Sequence, residues 1–202
     1  NPMFPQDRRA EALSGATHIL LTHGHGDHAG DALALSKELG APLVGIYDLI
    51  SWWQEKHGVE GIGFNKGGTV TLNGAKVTMV NAVHSSSVSS DNGPVYAGAE
   101  AGFMIAGEDH VIYLSGDTDI MADMGWMGEY HKPDIGILSC GGHFTMDMDR
   151  AAFAAKKYFD FKTLIPCHYR TFAALEQNAD TLRAALPLAR VIEPEVLQPI
   201  EV

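Results

Sequence analysis

Along the N-terminal part of the chain, short apolar runs alternate with stretches of helical spacing. Residues Thr17 to Thr22, centred on Ile19-Leu20-Leu21, predict a buried strand. Asp31 to Leu39 sets Ala32, Leu33, Leu35 and Leu39 at near-helical spacing and stops at Gly40 with Pro42 beyond, which predicts a helix with a glycine terminus. Leu43 to Ile46 repeats the strand pattern, and Asp48 to His57 repeats the helical one before Gly58. Ahead of them, residues 2–15, with Pro2 and Pro5, read as an irregular lead-in containing a short helical turn near Arg9 to Leu13. A βαβα beginning predicts a layered α/β domain.

Beyond Gly61 the pattern turns to hairpins. Thr69 to Leu72 and Lys76 to Val80 flank the turn signal Asn73-Gly74. The second run continues to His84, and Ser85 to Gly93 reads as a polar loop. Ala101 to Ile105 and Val111 to Leu114 form a second predicted hairpin around Gly107 to His110, leading into Ser115-Gly116-Asp117-Thr118. Ile120 to His131 predicts a methionine-rich helix stopped before Pro133, and Ile135 to Leu138 a buried strand. Asp147 or Asp149 is placed to cap a helix through Tyr158. Thr163 to Ile165 predicts a strand, Phe172 to Ala185 a helix, and Arg190 to Ile192 and Glu195 to Leu197 short β runs. With no linker, internal repeat or low-complexity segment, residues 1–202 are expected to form one domain.

Composition narrows the setting. Apolar residues make up 46% of the 202 positions, enough for a sizeable core. The 14 basic and 25 acidic residues give a net charge of −11, and no basic cluster offsets it, which argues against nucleic acid and anionic membranes as partners. Only Cys140 and Cys167 occur, so a disulfide framework is excluded and a reducing cytoplasm is the simplest setting. No apolar run reaches the ~18 residues of a membrane span, and the first residues contain no signal-peptide core.

The chemistry gathers at strand ends. His23, His25, Asp27 and His28 follow the first strand, and His84, Asp117, His143 and His168 each follow a β run, where side chains converge on one face of an α/β layer. Gly24 and Gly26 let the motif turn tightly, so that His23 and His25 reach one metal while Asp27 and His28 face a second position about 3.5–4 Å away. Imidazole and carboxylate donors suit zinc best and also accept manganese or iron. Cys167, beside His168, is expected to point to the other side of its strand.

Thr22-His23-Gly24-His25-Gly26-Asp27-His28 resembles the His-x-His-x-Asp-His signature of the metallo-β-lactamase superfamily, and His84, Asp117 and His168 match the order of its downstream ligands. The resemblance implies an αββα sandwich, two mixed sheets packed face to face with helices outside. It implies that His23, His25 and His84 hold one divalent metal, that Asp27, His28 and His168 hold a second, and that Asp117 bridges them. His84-Ser85-Ser86, Gly116-Asp117-Thr118, Gly141 to Asp147 and Pro166-Cys167-His168-Tyr169 further resemble a subfamily of metal-dependent hydrolases related to ascorbate-6-phosphate lactonase. That subfamily carries N-terminal strands ahead of the position of Asn1. The expectation is therefore either a first sheet lacking strands or a companion N-terminal peptide bound as a separate chain.

The implied reaction is hydrolysis of a small lactone, ester or phosphoester by hydroxide held between two metals, with Asp27 carrying a proton to the leaving group and His143 steadying developing charge. Tyr169 is a weaker candidate for the second task. The alternatives are a phosphodiesterase or ribonuclease of the same fold, an iron redox protein, and a non-catalytic metal-binding protein. His25 counts against the redox reading, because diiron relatives commonly carry an acidic residue there. The acidic balance counts against the nuclease. Oligomeric state is not legible.

Overall fold

The computed structural model describes residues 3–202; Asn1 and Pro2, at the start of the predicted lead-in, lie outside the described residues. A 3-10 turn at Gln6–Arg8 runs into α1 (Arg9–Leu13). The first sheet is parallel, in the order β1 (Ile19–Leu20), β2 (Leu43–Ile46), β3 (Gly61–Phe64). Helices α2 (Gly26–Ala29) and α3 (Ala32–Leu39) connect the first pair of strands, and α4 (Tyr47–His57) connects the second. Gly40 and Gly58 end α3 and α4 in the left-handed conformation, as glycine permits at no Cβ penalty.

Strand β3 shows how the layers stack. A Cβ on Gly61 would lie 2.5 Å from Ile50 Cγ2, and one on Gly63 would lie 3.2 Å from Tyr47, so this face is pressed against α4. Alternation sends Phe64 to the opposite face, where its ring lies 6.2 Å from that of Phe103 in the second sheet.

The second sheet begins with the hairpin β4 (Thr69–Leu72) and β5 (Ala75–Asn81), turned by Asn73 and Gly74, both at positive φ. A separate two-stranded hairpin, β6 (Ser87–Ser90) and β7 (Gly93–Tyr96), stands apart from it. Then come β8 (Ala101–Gly107), β9 (His110–Leu114), β10 (Ile135–Ser139), β11 (Thr163–Cys167) and β12 (Arg190–Val191). The spatial order is β12-β11-β10-β9-β8-β5-β4, antiparallel from β4 to β9 and parallel from β9 to β12. Met79 and Phe103 pack toward the first sheet. Their neighbours Val80 and Met104 pack outward against α5 (Met124–His131), α6 (Met148–Tyr158) and α7 (Asp180–Ala185). The result is the expected αββα sandwich, except that the first sheet is parallel among the described residues rather than mixed. No helix among the described residues is long and apolar enough to cross a membrane.

Several elements differ from expectation. β1 keeps only Ile19–Leu20 of its predicted run. β3 was not anticipated, because two glycines in four residues hide a strand whose small side is demanded by α4. Ser85 to Gly93 is not an open loop but contains β6 and the turn of its hairpin. α5 starts at Met124 rather than Ile120, since the preceding residues are spent in turns. The predicted Phe172 to Ala185 helix survives only as α7: Gln177 Nε2 donates to the carbonyls of Phe172 and Leu175, offering that backbone a competing turn. Glu195 to Leu197 is a turn, with Gln198 N–H donating to Glu195 O and Leu197 at φ 59°.

β11 runs on through Pro166. Pro166 shares its orientation with Leu164, whose carbonyl serves Ile192 on the β12 side, and β12 pairs only as far as Leu164. The missing N–H therefore faces a side where no partner strand continues.

Candidate metal centre

The motif is fixed from its first residue. Thr22 O accepts from Ala101 N–H at 2.9 Å, and its hydroxyl lies 3.0 Å from His23 Nδ1. This turns His23 Nε2 toward His25 Nδ1, 3.1 Å away. A Cβ on Gly24 would stand 2.8 Å from the Ala97 methyl, so glycine is required where its N–H donates to Ser86 Oγ at 3.1 Å. The single helical turn α2 then carries Asp27 and His28 toward His168. Asp27 Oδ2 is 3.3 Å from both His28 Nε2 and His168 Nε2, and the two imidazoles stack with centroids 5.4 Å apart.

The remaining residues arrive on strand ends. His84 follows β5, and its N–H donates to Glu100 Oε1 at 3.2 Å while Val83 N–H donates to Thr118 Oγ1 at 3.0 Å. Asp117 follows β9 across Gly116, where φ is +61° and a Cβ would lie 2.5 Å from Ala101 O. His168 follows β11 at φ 59°, with Arg170 at φ 67°. Such left-handed non-glycine residues cost roughly 1–3 kcal/mol each and cluster at functional sites.

The distances converge on Asp117. Its Oδ2 lies 3.3 Å from His28 Nε2, 3.6 Å from His84 Nε2 and 3.2 Å from His168 Nε2. Donor atoms of His23, His25 and His84, of His23, His28 and Asp117, and of Asp27, His28 and His168 each lie within 4.8 Å of one another. The seven residues expected to be ligands are thus brought together.

The cluster fits divalent metal. Tetrahedral zinc, with bonds of about 2.0–2.1 Å to nitrogen, places neighbouring donor atoms about 3.3–3.4 Å apart, and the spacings here run from 3.1 to 3.6 Å. His28 Nε2 is buried between two carboxylate oxygens without a well-formed hydrogen bond, and His168 Nδ1 is buried with no hydrogen-bond partner among the described residues. Burial, followed by repulsion from His28, pushes His23 down to about 3, so at neutral pH it is a neutral imidazole with a lone pair to give. Burial also lowers His84. Burial opposes charge on His28, but the carboxylates of Asp117 and Asp27 prevail and raise it. Burial works to raise Asp27 and Asp117, and nearby histidines nevertheless hold both below the ordinary carboxylate range.

Other expectations fall differently. His143 is exposed, its ring set edge-on to Phe144 at 4.5 Å, and it makes no hydrogen bond to the seven clustered residues. Tyr169 turns away, donating its hydroxyl to Glu193 Oε2 at 3.1 Å. Cys167 does not turn its back: it lines a small cleft with His28, Asp117 and His168. Burial first, then Cys140 and Asp117, push its thiol well up, which leaves it a poor nucleophile. Sequence reasoning missed Thr22, Glu100 and Thr118 as supports. Thr22 and Thr118 directly flank ligand-type residues, a usable signal, whereas nothing in the sequence joins Glu100 to His84.

Known proteins place the chain in a family. Residues 1–169 match the family model described as the beta-lactamase superfamily domain. The chain is 73% identical, over all 202 of its residues and 88% of the relative's length, to a UPF0173 metal-dependent hydrolase of Cereibacter sphaeroides strain KD131. It is 74% identical to one of Paracoccus denitrificans, over 99% of this chain and 87% of that one. Among solved structures, Igni18, a metallo hydrolase from the archaeon Ignicoccus hospitalis, superposes with a TM-score of 0.83 at 29% identity, covering 96% of this chain and 83% of that one. The chain therefore belongs to the beta-lactamase superfamily, among its metal-dependent hydrolases.

Proposed function

We propose that this enzyme is a two-metal hydrolase of small lactones, esters or phosphoesters, acting on a diffusible substrate in the cytoplasm. The observation that carries the reading is Asp117 Oδ2, within 3.6 Å of His28, His84 and His168 and so reaching both donor groups at once. His23, His25 and His84 would hold one ion, Asp27, His28 and His168 the other, with zinc the best match and manganese or iron acceptable. Such a pair supplies Lewis acidity and lowers the pKa of water from about 15.7 toward ~7.

The chain's own residues then do three things. His23, buried and neutral, keeps its lone pair directed into the cluster. Thr22, Ser86 and Glu100 fix the backbone and ring positions of the first group. Asp27 is the most exposed of the clustered carboxylates, at 64% against 4% for Asp117, so it can take a proton from the site and give it to a departing group. A cytoplasmic setting agrees with the free thiols of Cys140 and Cys167.

The test is a panel of lactones, esters and phosphoesters offered to the zinc- or manganese-loaded enzyme and to Asp27→Ala. Turnover of one class, reduced about 10²–10⁴-fold by the substitution, is expected. Absence of turnover across the panel, with both metals bound, would overturn the reading.

A further inference from the structure

Tyr169 and Arg170 follow His168 directly, yet both side chains leave the cluster and end on the C-terminal segment. Tyr169, itself buried, donates to Glu193 Oε2 at 3.1 Å. Arg170 stacks its guanidinium 5.0 Å from the Tyr169 ring, donates through Nη2 to Pro194 O at 2.9 Å and sets Nη1 3.9 Å from Glu193 Oε2. The other Glu193 oxygen, Oε1, accepts from Arg183 Nη2 on α7 at 2.8 Å. Burial pushes the Glu193 carboxyl up, but the Arg183 and Tyr169 hydrogen bonds, with one from the Ala179 backbone, outweigh it and keep it ionised. A single carboxylate thus joins α7 to the left-handed turn that presents His168.

The turn needs such a tie. His168 and Arg170 both hold positive φ without being glycine, a conformation that persists only where its surroundings over-determine it. The His168 ring has Nε2 on Asp27 and Asp117, while Nδ1 is buried with no hydrogen-bond partner among the described residues. Metal-binding imidazoles are ordinarily oriented through their second nitrogen. No protein group among the described residues supplies that constraint here, so the backbone carries more of the ring's positioning, and Tyr169 and Arg170 anchor that backbone.

We infer that Glu193 is a positioning residue of the metal centre, holding His168 in place through Tyr169 and Arg170. The inference rests on the two-metal reading. It makes the second metal position, that of Asp27, His28 and His168, depend on a residue distant in sequence, while the position of His23, His25 and His84 does not.

Glu193→Ala, Glu193→Gln and Tyr169→Phe, each in the full chain, separate this role from a merely structural one. Backbone bonds from Arg170 N–H to Glu176 O and from Cys140 N–H to Cys167 O use none of the substituted side chains and are expected to keep the segment folded in all three. Zinc is titrated against a chromophoric chelator. In Glu193→Ala and Tyr169→Phe one of the two binding events is expected to lose about 10–100-fold in affinity, with the other unchanged. Glu193→Gln, which still offers Tyr169 an acceptor, recovers most of the loss, and Glu193→Ala with Tyr169→Phe loses no more than Glu193→Ala alone. Unchanged affinity in Glu193→Ala, or equal weakening of both events with Gln no better than Ala, would overturn the inference. Nitrogen-15 spectra of the metal-free histidine rings provide an independent readout. A His168 signal displaced in Glu193→Ala supports the positioning role even if the wild type binds one ion rather than two, so the failure of either idea is told apart from that of the other.

Discussion

At the scale of single residues, the centre crowds five imidazoles around two carboxylates. Asp117 has the widest reach, touching three imidazoles through one oxygen. Asp117→Ala is therefore expected to weaken both zinc-binding events, unlike any variant of Glu193, and a chelator competition titration reads the difference. Gly141 makes a contrasting case: a Cβ there would lie 2.0 Å from His168 O. Gly141→Ala should cost about 1–3 kcal/mol of stability in urea unfolding, as overpacking does, and should weaken metal binding as His168 is displaced. The ligand-type residues were legible in the sequence because the motif and its strand-end placement concentrate unusual side chains. His143 and Tyr169 carried the same sort of signal, but the structure turns the first to solvent and the second to Glu193. Side-chain direction beyond a strand end is decided by tertiary neighbours that spacing does not encode.

At the scale of elements, strands bounded by clear turns were legible and glycine-masked or turn-competing segments were not. β2 occupies its predicted run, and the Asn73-Gly74 hairpin forms as expected, because local chemistry and burial agree there. β3 and the shortened α7 show the opposite: Gly61 and Gly63 are dictated by the surface of α4, and Gln177 diverts the backbone ahead of α7. α5 and α6 depend on a similar small-residue contact, since a Cβ on Gly128 would lie 1.9 Å from Tyr158 O. Gly128→Ala should lower stability by about 1–3 kcal/mol in denaturant titration despite the better helix propensity of alanine.

Asp134 links β9 to the start of β10, accepting from Val111 N–H at 2.8 Å and lying 2.7 Å from His110 Nδ1. Burial raises its carboxyl, but these bonds outweigh that and hold it below the usual range. A depressed carboxylate gives its stability above the unfolded value of about 3.9 and loses it as pH falls through the lower folded value. Asp134→Asn should therefore be less stable than wild type at pH 7, and the gap should narrow below about pH 4 in unfolding experiments across pH.

At the scale of the whole molecule, the sandwich brings strand ends from both sheets to one place: β1 supplies the motif, and β5, β9 and β11 supply His84, Asp117 and His168. The αββα layering was legible from the order of elements together with the resemblance, whereas the extent of each sheet was not, since edge pairing depends on contacts between distant segments. Metal ions that bind only the folded chain stabilise it by mass action, by about 2.7 kcal/mol at a hundredfold excess over Kd. Thermal unfolding with and without a chelator should show that loss. The most direct test is the metal stoichiometry of the zinc-loaded chain, measured by elemental analysis against protein concentration. Two equivalents per chain are expected, falling to one or fewer in Asp117→Ala; a wild-type chain that saturates at a single equivalent would contradict the two-metal centre.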